Sequence, residues 1–435
     1  MEPALVLPSA GADLIHPYPL LAAARRRGPV VRAALPGAGA LWLVTGYEAV
    51  REALAHPHLG KDGRADDGVQ DDDGVQDDGA QDAGPQDDGP EGEAPGRARP
   101  TVPTPDHARL RASVGRFLSP ARVGALRGRL HAEARALLTA LPPADEVDLV
   151  SAYTFPLPFA GICAVFGVPA ADRAGLLRLT VLMSPGTTPE SSPDTSLETS
   201  PGPHEPIAAD DAFARMWDYF RALAADRRRT VPHGDDLVTA LVTEDGDGRG
   251  WSDEECASVC LMLVVAGHEP TANLLGIGAL LLAGDPAAAG PLRADPSRVG
   301  AFVDELLRYD SPVYPGVFRR SSRDVRLAGV TIPAGDLVLL AVGAGNRDPE
   351  AFPNPTAFAP GRTAPRHLSF GHGRHFCLGA PLARVVAEAG FTELLSLFPG
   401  FTPADTSRIT WRPEYLRGLT GLPVVLDPGR RGTGG

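Results

Sequence analysis

Cysteine is scarce in this chain of 435 residues, with four in all. Small secreted proteins that depend on disulfides carry cysteines at dense and regular intervals, and the spacing here has no such framework. The sequence therefore argues against a disulfide-stabilised scaffold and favours a reducing compartment. The four positions are Cys163, Cys256, Cys260 and Cys377.

Long apolar runs are also missing. No stretch of about twenty uninterrupted apolar residues, the length that a helix needs to cross a bilayer, occurs in the chain. The N-terminus lacks the charged-then-apolar pattern of a secretory signal, since Pro3, Pro8, Asp13 and Pro17 interrupt it. We therefore expect a cytoplasmic protein with no membrane partner.

Lysine is nearly absent, because Lys61 is the only one and almost all of the positive charge is arginine. The formal net charge is −13, but residues 65–95 alone carry twelve acidic residues and no basic one. The acidity is thus local, and the rest of the chain is close to neutral. No nucleic-acid partner is predicted from this distribution.

Two segments have the low-complexity composition of chains that cannot bury enough apolar surface to fold. Residues 61–100 repeat Asp, Gly and Gln without aromatics, and residues 184–208 are rich in Ser, Thr, Pro and Glu. We predict that the first is a disordered acidic insertion and the second a flexible one, both within a single domain spanning residues 1–435. The acidic segment is either a tolerated repeat expansion in a surface loop or a docking arm for a basic partner.

The remaining chain places apolar residues mostly at helical spacing, with a few short β-rich stretches. Residues 30–34 and 41–45 predict strands, and residues 47–55 predict a helix. Ser252 and Glu255 form a capping box at the start of a long apolar helix, whose composition predicts burial on most sides. The fold class that follows is mainly α with a minor β region.

One stretch, residues 370–384, combines a glycine-punctuated loop with an apolar run of helical character. Its glycines allow tight turns and a close approach of the backbone to a flat ligand. The thiolate of Cys377, at the start of the helical run, is favoured by the helix dipole and by nearby N–H donors. A single thiolate suits haem iron, because zinc sites and iron–sulfur clusters need several ligands. The alternative is a buried structural cysteine beside a glycine-rich turn.

The spacing within this stretch resembles the haem-binding loop of the cytochromes P450, with Phe370, Gly373, Cys377 and Gly379 at the four positions of that pattern. The resemblance covers essentially the whole chain apart from the two insertions. It implies the cytochrome P450 fold, haem b as the cofactor, Cys377 as the iron ligand and a propionate contact from His375. The loop residues implied to bind the cofactor are Phe370, Gly371, His375, Cys377 and Gly379.

Two further segments resemble parts of the family that contact the haem propionates. His107 and Arg111 lie four residues apart, so they share one helical face, and a solvated basic face is the alternative interpretation. Arg319, five residues before Asp324, matches an arginine that usually contacts a propionate, and the neighbouring Arg320 is its competitor. The resemblance implies cofactor binding by His107, Arg111 and Arg319.

Glu305 and Arg308 lie three residues apart, so they share a helical face and can pair. In their sequence context they resemble the Glu-x-x-Arg core of the family, and residues 346–362 resemble the segment that precedes the haem loop. This resemblance implies a structural role on the haem side of the protein.

The middle of the long apolar helix resembles the oxygen-binding helix of the family. Ala266 and Gly267 leave room for a ligand beside the helix, and a buried Glu269 requires a partner or a task. In the family an acid followed by a threonine relays protons during oxygen activation. Here Pro270 occupies the threonine position, and Thr271 follows it, rotated by about 100° on a regular helix. The catalytic candidates are Glu269, Pro270 and Thr271, and the missing hydroxyl is replaced by Thr271 after a kink, by ordered water or by the substrate.

The resemblance implies a haem-thiolate monooxygenase that hydroxylates or epoxidises an organic substrate, with a natural-product scaffold as the first expectation. It also implies a monomer served by a ferredoxin-type redox partner and its reductase, docking near the Cys377 face. The substrate is expected to be a small molecule, either free or bound to a carrier or peptide. Two alternatives stay open: an oxidase that couples or desaturates its substrate without inserting oxygen, and a haem-binding regulatory protein with little turnover.

Overall fold

The computed structural model describes residues 5–8, 15–36, 39–60, 107–141, 146–184, 208–230, 234–243, 250–412 and 416–427. The acidic repeat predicted at residues 61–100 lies outside the described residues. The second predicted insertion, residues 184–208, also lies outside them except for its first and last residue.

Helices make up most of the described chain and enclose its main apolar core, which confirms the prediction of a mainly α fold. A short π-helical segment, Val150–Thr154, lies directly before α6. The α-helices are α1 (Tyr18–Arg27), α2 (Tyr47–Ala55), α3 (His107–Gly115), α4 (Pro120–Ala125), α5 (Arg127–Thr139), α6 (Pro156–Phe166), α7 (Ala170–Met183), α8 (Ala209–Thr230), α9 (Leu237–Thr243), α10 (Asp253–Gly284), α11 (Pro286–Ala294), α12 (Val299–Tyr309), α13 (Val342–Gly345) and α14 (Ala380–Leu397).

Helix α10 runs through this core and packs against α6, α8 and α14. It begins with the predicted capping box, in which Ser252 Oγ accepts from the Glu255 N–H at 3.1 Å and the Glu255 carboxylate accepts from the Ser252 N–H at 2.8 Å. By length and composition its 32 residues could cross a membrane, but 61% of the apolar stretch is buried inside the protein. α10 is therefore a core helix, and it continues as α-helix through Pro270.

The minor β region combines strands from both ends of the chain. A six-stranded sheet has the order β1-β2-β3-β9-β6-β4, in which β3 is parallel to β9 and β6 is antiparallel to β9. Alternate residues of its strands belong to two smaller apolar clusters, one on each face. The other sheets are β10-β13-β5, β11-β12 and β7-β8. The strands are β1 (Leu5–Val6), β2 (Val30–Leu35), β3 (Gly39–Val44), β4 (Leu59–Gly60), β5 (Val147–Asp148), β6 (Val317–Ser321), β7 (Val325–Leu327), β8 (Val330–Ile332), β9 (Leu337–Leu340), β10 (Gly400–Pro403), β11 (Thr410–Trp411), β12 (Leu419–Gly421) and β13 (Pro423–Asp427).

A buried ion pair connects α12 to the segment that leads to Cys377. Arg308 donates from Nε and Nη2 to the two carboxylate oxygens of Glu305, both at 2.8 Å, which confirms the predicted pairing. The same guanidinium donates to the carbonyl of Asn346 at 3.0 Å, and the side chain of Asn346 accepts from the Leu368 N–H at 2.7 Å. The start of the cysteine loop is therefore anchored to the helical core through hydrogen bonds that are buried from water.

Candidate active site

The loop before α14 is held in shape by its own backbone. The Cys377 N–H donates to the Phe370 carbonyl at 2.8 Å, and the Phe376 N–H donates to the Gly373 carbonyl at 3.0 Å. Gly371 and Gly373 have φ values of +77° and +68°, a region that side chains with a Cβ disfavour. The predicted tight turns are therefore present at both glycines.

Cys377 differs from the other cysteines in its surroundings, because it is exposed while Cys163, Cys256 and Cys260 are buried. This exposure argues against the alternative of a buried structural cysteine. The N–H groups of Gly379 and Ala380 donate to its sulfur.

Cys377 is exposed as a residue, but protein atoms surround much of its thiol, and this burial raises the pKa of the thiol. The two N–H donors and the charges of Arg111 and Arg384 act in the opposite direction. A metal cation at the sulfur would add the positive charge that favours the thiolate. The exposed residue and its donor set thus suit a thiolate ligand.

Arg111 lies beside this loop, as expected for a residue near the cofactor. Both of its terminal nitrogens donate to the Phe376 carbonyl at 3.0 Å, so its guanidinium holds the residue that precedes Cys377. The backbone of His107 begins α3, one turn before Arg111, and its side chain is outside the described part of the structure. Propionate binding by this pair stays a prediction.

The remaining predicted cofactor residues lie on two other elements. His375 ends a short 3-10 helix, Gly373–His375, and is half-buried. Arg319 on β6 is buried and donates to the Phe318 carbonyl at 2.8 Å. Its competitor Arg320 is exposed and donates to the Gly335 carbonyl at 2.6 Å. Burial therefore favours Arg319 over Arg320 as the arginine that faces an internal ligand.

Phe370 is buried and carries a cation on its ring that the sequence analysis did not single out. The guanidinium carbon of Arg384 lies 4.8 Å from the ring centroid, and Arg384 Nε donates to the Asp304 carboxylate at 2.8 Å. Arg384 ends the stretch that contains the cysteine motif, so its place in the sequence was a signal that could have identified it. The Arg384–Asp304 pair joins α14 to α12, and the contact with Phe370 joins α14 to the cysteine loop.

One face of α10 is exposed among the residues that the structure describes. Met262 and Val265 are 37% and 48% exposed, and Ala266 is exposed as well, although most of the surrounding helix is buried. Their spacing of three and four residues places them on the same side of the helix. Gly267 is oriented differently, because a Cβ there would lie 3.7 Å from the Ile162 side chain on α6. The open apolar face is the second surface that a flat cofactor could cover.

The hydroxyl of Thr271 is hydrogen-bonded to the backbone of its own helix. Its Oγ1 donates to the Gly267 carbonyl at 2.9 Å, and the residue is 7% exposed. Pro270 has no N–H, so the carbonyl of Ala266 lacks the donor that a regular helix provides four residues later.

Glu269 has a cationic partner that the sequence did not reveal. Arg412 Nη1 lies 3.6 Å from Glu269 Oε1, and Arg412 Nε donates to the Asn273 side chain at 3.3 Å. Asn273 follows Glu269 by four residues and shares its helical face, which was a weak signal. Nothing in the local pattern indicated Arg412, because it follows more than a hundred residues later.

The neighbouring His268 is a core residue rather than an acid–base candidate. Its Nε2 donates to the Phe155 carbonyl at 2.7 Å, and its ring packs against Phe155 and Phe159. Burial lowers the pKa of His268 to about 4, and the charge of Arg412 contributes in the same direction. His268 is therefore neutral at physiological pH.

Across the parts of the chain that the structure describes, no group of three or more His, Cys, Asp or Glu side chains is placed to hold a metal ion. A site with one protein ligand, as at Cys377, is of the kind that a prosthetic group with its own metal ligands requires. The exposed sulfur, its two N–H donors and the open apolar face of α10 fit such a group.

Comparisons with known proteins agree with this geometry. The family model described as Cytochrome P450 matches residues 298–410. The vitamin D(3) 25-hydroxylase of Pseudonocardia autotrophica is 35% identical over 426 residues, which cover 95% of this chain and 94% of that protein. The 6-deoxyerythronolide B hydroxylase of Saccharopolyspora erythraea is 34% identical over 427 residues, which cover 97% of this chain and 99% of that protein. The solved structure of the ligand-free P450 monooxygenase TamI is similar with a TM-score of 0.78 at 34% identity, covering 98% of this chain and 95% of that one.

Proposed function

This chain belongs to the cytochrome P450 family, and from that premise we propose that it inserts one oxygen atom into a natural-product scaffold. It is an oxidoreductase, and its cofactor is haem b. The bound haem supplies the activation of dioxygen, and the protein supplies the ligand, the position of the substrate and the protons. The observation that carries the proposal is the exposed sulfur of Cys377 with the N–H groups of Gly379 and Ala380 directed at it.

We propose that the cofactor is held between the cysteine loop and the open face of α10. Cys377 is the proposed iron ligand, and Phe370, Gly371 and Gly379 shape the loop. Ala266 borders the opposite side, and the adjacent Gly267 allows α10 to pack closely against α6. A side chain at Gly379 would place a Cβ 3.8 Å from the sulfur, so glycine keeps this side of the ligand free. The residues proposed for the propionates are His107, Arg111, Arg319 and His375.

Proton supply is the step in which this chain departs from the family pattern. We propose that Glu269 carries protons into the site, since its carboxylate is partly exposed on the open side of α10. The bond from Thr271 to Gly267 and the burial of Thr271 argue against a relay through that hydroxyl. Pro270 shapes the helix but has no group that can donate. Ordered water or a hydroxyl of the substrate is then needed, which favours a hydroxylated scaffold.

A second function is kept because of the same feature. An oxidase that couples or desaturates its substrate releases no oxygenated product and depends less on a hydroxyl at position 270. The absence of that hydroxyl is the observation that favours this alternative. The mass of the product separates the two functions, since a gain of one oxygen atom excludes pure coupling or desaturation.

The proposed redox partner is a ferredoxin with its reductase, acting in the cytoplasm. The segment from residue 107 to residue 132, which includes α3 and α4 and reaches the cysteine loop through Arg111, contains six arginines and no acidic residue. Arg116 and Arg122 are exposed on this segment and flank the Phe117 ring. Such a surface suits an acidic partner, because opposite charges speed up encounter and orient it.

The test is an optical titration of the ferric holoprotein with two compounds that the names of the relatives suggest, 6-deoxyerythronolide B and vitamin D3. A saturable shift of the Soret band from low to high spin, followed by a product heavier by one oxygen atom, is the expected result. A product of unchanged or lower oxygen content would overturn oxygen insertion in favour of the oxidase. If neither compound shifts the band but an acyl chain tethered to a carrier protein does, a free small molecule is the wrong substrate class.

A further inference from the structure

Helix α10 contains a weak point at Pro270. Proline interrupts the i to i−4 ladder by removing one N–H, and its ring opposes the regular path of the helix. The helix nevertheless runs from Asp253 to Gly284 as continuous α-structure. Contacts from outside the ladder therefore contribute more to local order here than elsewhere along the helix.

A single side chain contacts α10 on both sides of this weak point. Arg412 reaches Glu269, one residue before the proline, at 3.6 Å and Asn273, three residues after it, at 3.3 Å. The guanidinium is planar and carries donors in a fixed arrangement, so two simultaneous contacts fix its orientation. The distance along α10 that it spans is about one helical turn.

The surroundings of Arg412 make these contacts hard to exchange for water. Its side chain is 4% exposed and that of Glu269 is 16% exposed, so both charges have lost most of their hydration. A buried cation of this kind depends on its carboxylate partner, and removing either partner leaves an uncompensated charge.

The segment that carries Arg412 is itself fixed against α10. Arg412 lies between β11 and β12, and its N–H donates to the Gly418 carbonyl at 3.0 Å. A Cβ at Gly418 would lie 1.9 Å from Asn273 Oδ1, so the backbone of this segment approaches the helix as closely as glycine allows. The C-terminal segment and α10 therefore both contribute residues to this contact.

We propose that Arg412 holds α10 together across Pro270 and thereby positions the Glu269 carboxylate. It is a positioning residue and acts through Glu269 and Asn273. The second half of this proposal rests on the proposed role of Glu269 in proton supply, and the first half does not. In this proposal the local order of α10 depends on the C-terminal segment that carries Arg412.

The test is hydrogen–deuterium exchange of the holoprotein, followed by mass spectrometry of peptides that cover residues 262–275. In Arg412→Met we expect these amides to exchange at least about tenfold faster, because a lost buried pair raises the population of locally open states by that order. Arg412→Lys keeps the charge but not the planar donor set, so its exchange rates should lie between those of the parent and those of Arg412→Met. Rates within about twofold of the parent in both variants would overturn the proposal.

Two controls distinguish local support of α10 by Arg412 from a general loss of stability. Arg417 is a buried arginine of the same segment that pairs with Asp310 instead, so Arg417→Met should leave the peptides of residues 262–275 unchanged. Pro270→Ala restores the missing N–H, so in that background Arg412→Met should have a clearly smaller effect. If Arg412→Met accelerates exchange equally with and without the proline, or if Arg417→Met gives the same acceleration, local support across Pro270 is refuted.

The positioning of Glu269 has its own measurement. With any ligand that shifts the Soret band, Arg412→Lys and Glu269→Gln should lower the product formed per oxygen consumed by a similar factor, and the double variant should lose little more than either. Additive losses would show that Arg412 does not act through Glu269. Since hydrogen exchange needs no substrate, failure of the proposed function would leave the test of how Arg412 supports α10 unaffected.

Discussion

The cysteine loop and the middle of α10 are the two proposed walls of the cofactor site, and they are held in different ways. Backbone hydrogen bonds within the loop and two glycines with positive φ fix the position of Cys377. In α10 a backbone donor is missing at Pro270, and a side chain from the C-terminal segment makes contacts on both sides of it. The first wall is therefore shaped mainly by local backbone contacts, although distant residues also anchor it, whereas the middle of the second wall receives its contact from a distant part of the chain.

This difference indicates where each wall can vary. A ligand loop that depends on its own backbone tolerates few changes, because each glycine and each turn is needed for the thiolate to face the metal. A helix that is steadied from outside can accept a proline in place of a functional threonine, provided that the outside contact remains. With the roles proposed for Cys377 and Glu269, the chain would keep the ligand chemistry of the family while the proton supply differs.

The largest expected effect concerns the thiolate. Cys377→Ser should remove the thiolate ligand, so the reduced protein with carbon monoxide should lose the red-shifted Soret band that only a thiolate-ligated haem gives. Cys163→Ala, at a buried cysteine of α6, should keep that band. A difference spectrum of both variants checks this, and an unchanged band in Cys377→Ser would break the assignment of the first wall.

The next effect concerns the support of the loop. Glu305→Gln should destabilise the protein by about 3–5 kcal/mol, because the buried guanidinium of Arg308 loses its charged partner. Glu48→Gln breaks a pair with the same i, i+3 spacing, to Arg51, but both side chains are exposed, so a much smaller loss of stability is expected. Urea unfolding monitored by circular dichroism measures both. Equal losses would mean that burial does not decide the strength of this pair.

A smaller effect is expected from adding one methyl group to the loop. Gly373→Ala would place a Cβ 2.9 Å from the Ala55 Cβ at a φ of +68°, so strain and overlap together should cost about 3 kcal/mol. Gly361→Ala, at a φ of +83° with no atom within 4 Å of the new Cβ, should cost about 1 kcal/mol from backbone strain alone. Thermal unfolding and haem content of the two variants should be measured to separate the cost of the overlap from the cost of the backbone strain. If both lose the same stability, packing against α2 does not hold the loop.

The smallest effect concerns the second wall and depends on pH. Because burial lowers the pKa of His268 from 6.5 to about 4, the unfolded chain binds its proton first as the pH falls, and stability is lost below about pH 6.5. From about pH 7 to about pH 5 this residue should account for roughly 2 kcal/mol. His268→Gln keeps a donor for the Phe155 carbonyl but does not titrate, so its unfolding free energy should vary less over that range. Parallel pH profiles of the parent and the variant would contradict this.

Much of the first wall could be predicted from the sequence, because its causes lie within a few residues of one another. The turns at Gly371 and Gly373 and the Glu305–Arg308 pair follow from short-range spacing, and all are present. The same holds for the Ser252 capping box, which begins α10. The strands predicted at residues 30–34 and 41–45 are confirmed with shifts of one or two residues at their ends.

The second wall could be predicted only in part. The sequence showed that Pro270 replaces the expected threonine, but the partner of Glu269 depends on where the C-terminal segment packs. Spacing along a helix gives no information about a side chain that arrives from another part of the chain. The orientation of the Thr271 hydroxyl toward Gly267 likewise required the helix itself, because a threonine at this position can point to the backbone or away from it.

The six-stranded sheet has a consequence for the protein during its synthesis. β3 can pair with its parallel neighbour only after β9 has been synthesised, since Trp42 pairs with Val338. In the same way β4 can pair only after β6 has been synthesised, since Leu59 pairs with Ser321. At about 5–20 residues per second, β9 leaves the ribosome roughly 15–60 s after β3. For that time the hairpin of β2 and β3 has an unpaired edge that can join another nascent chain. The time on the ribosome, rather than the stability of the finished fold, therefore sets when this chain is most exposed to aggregation.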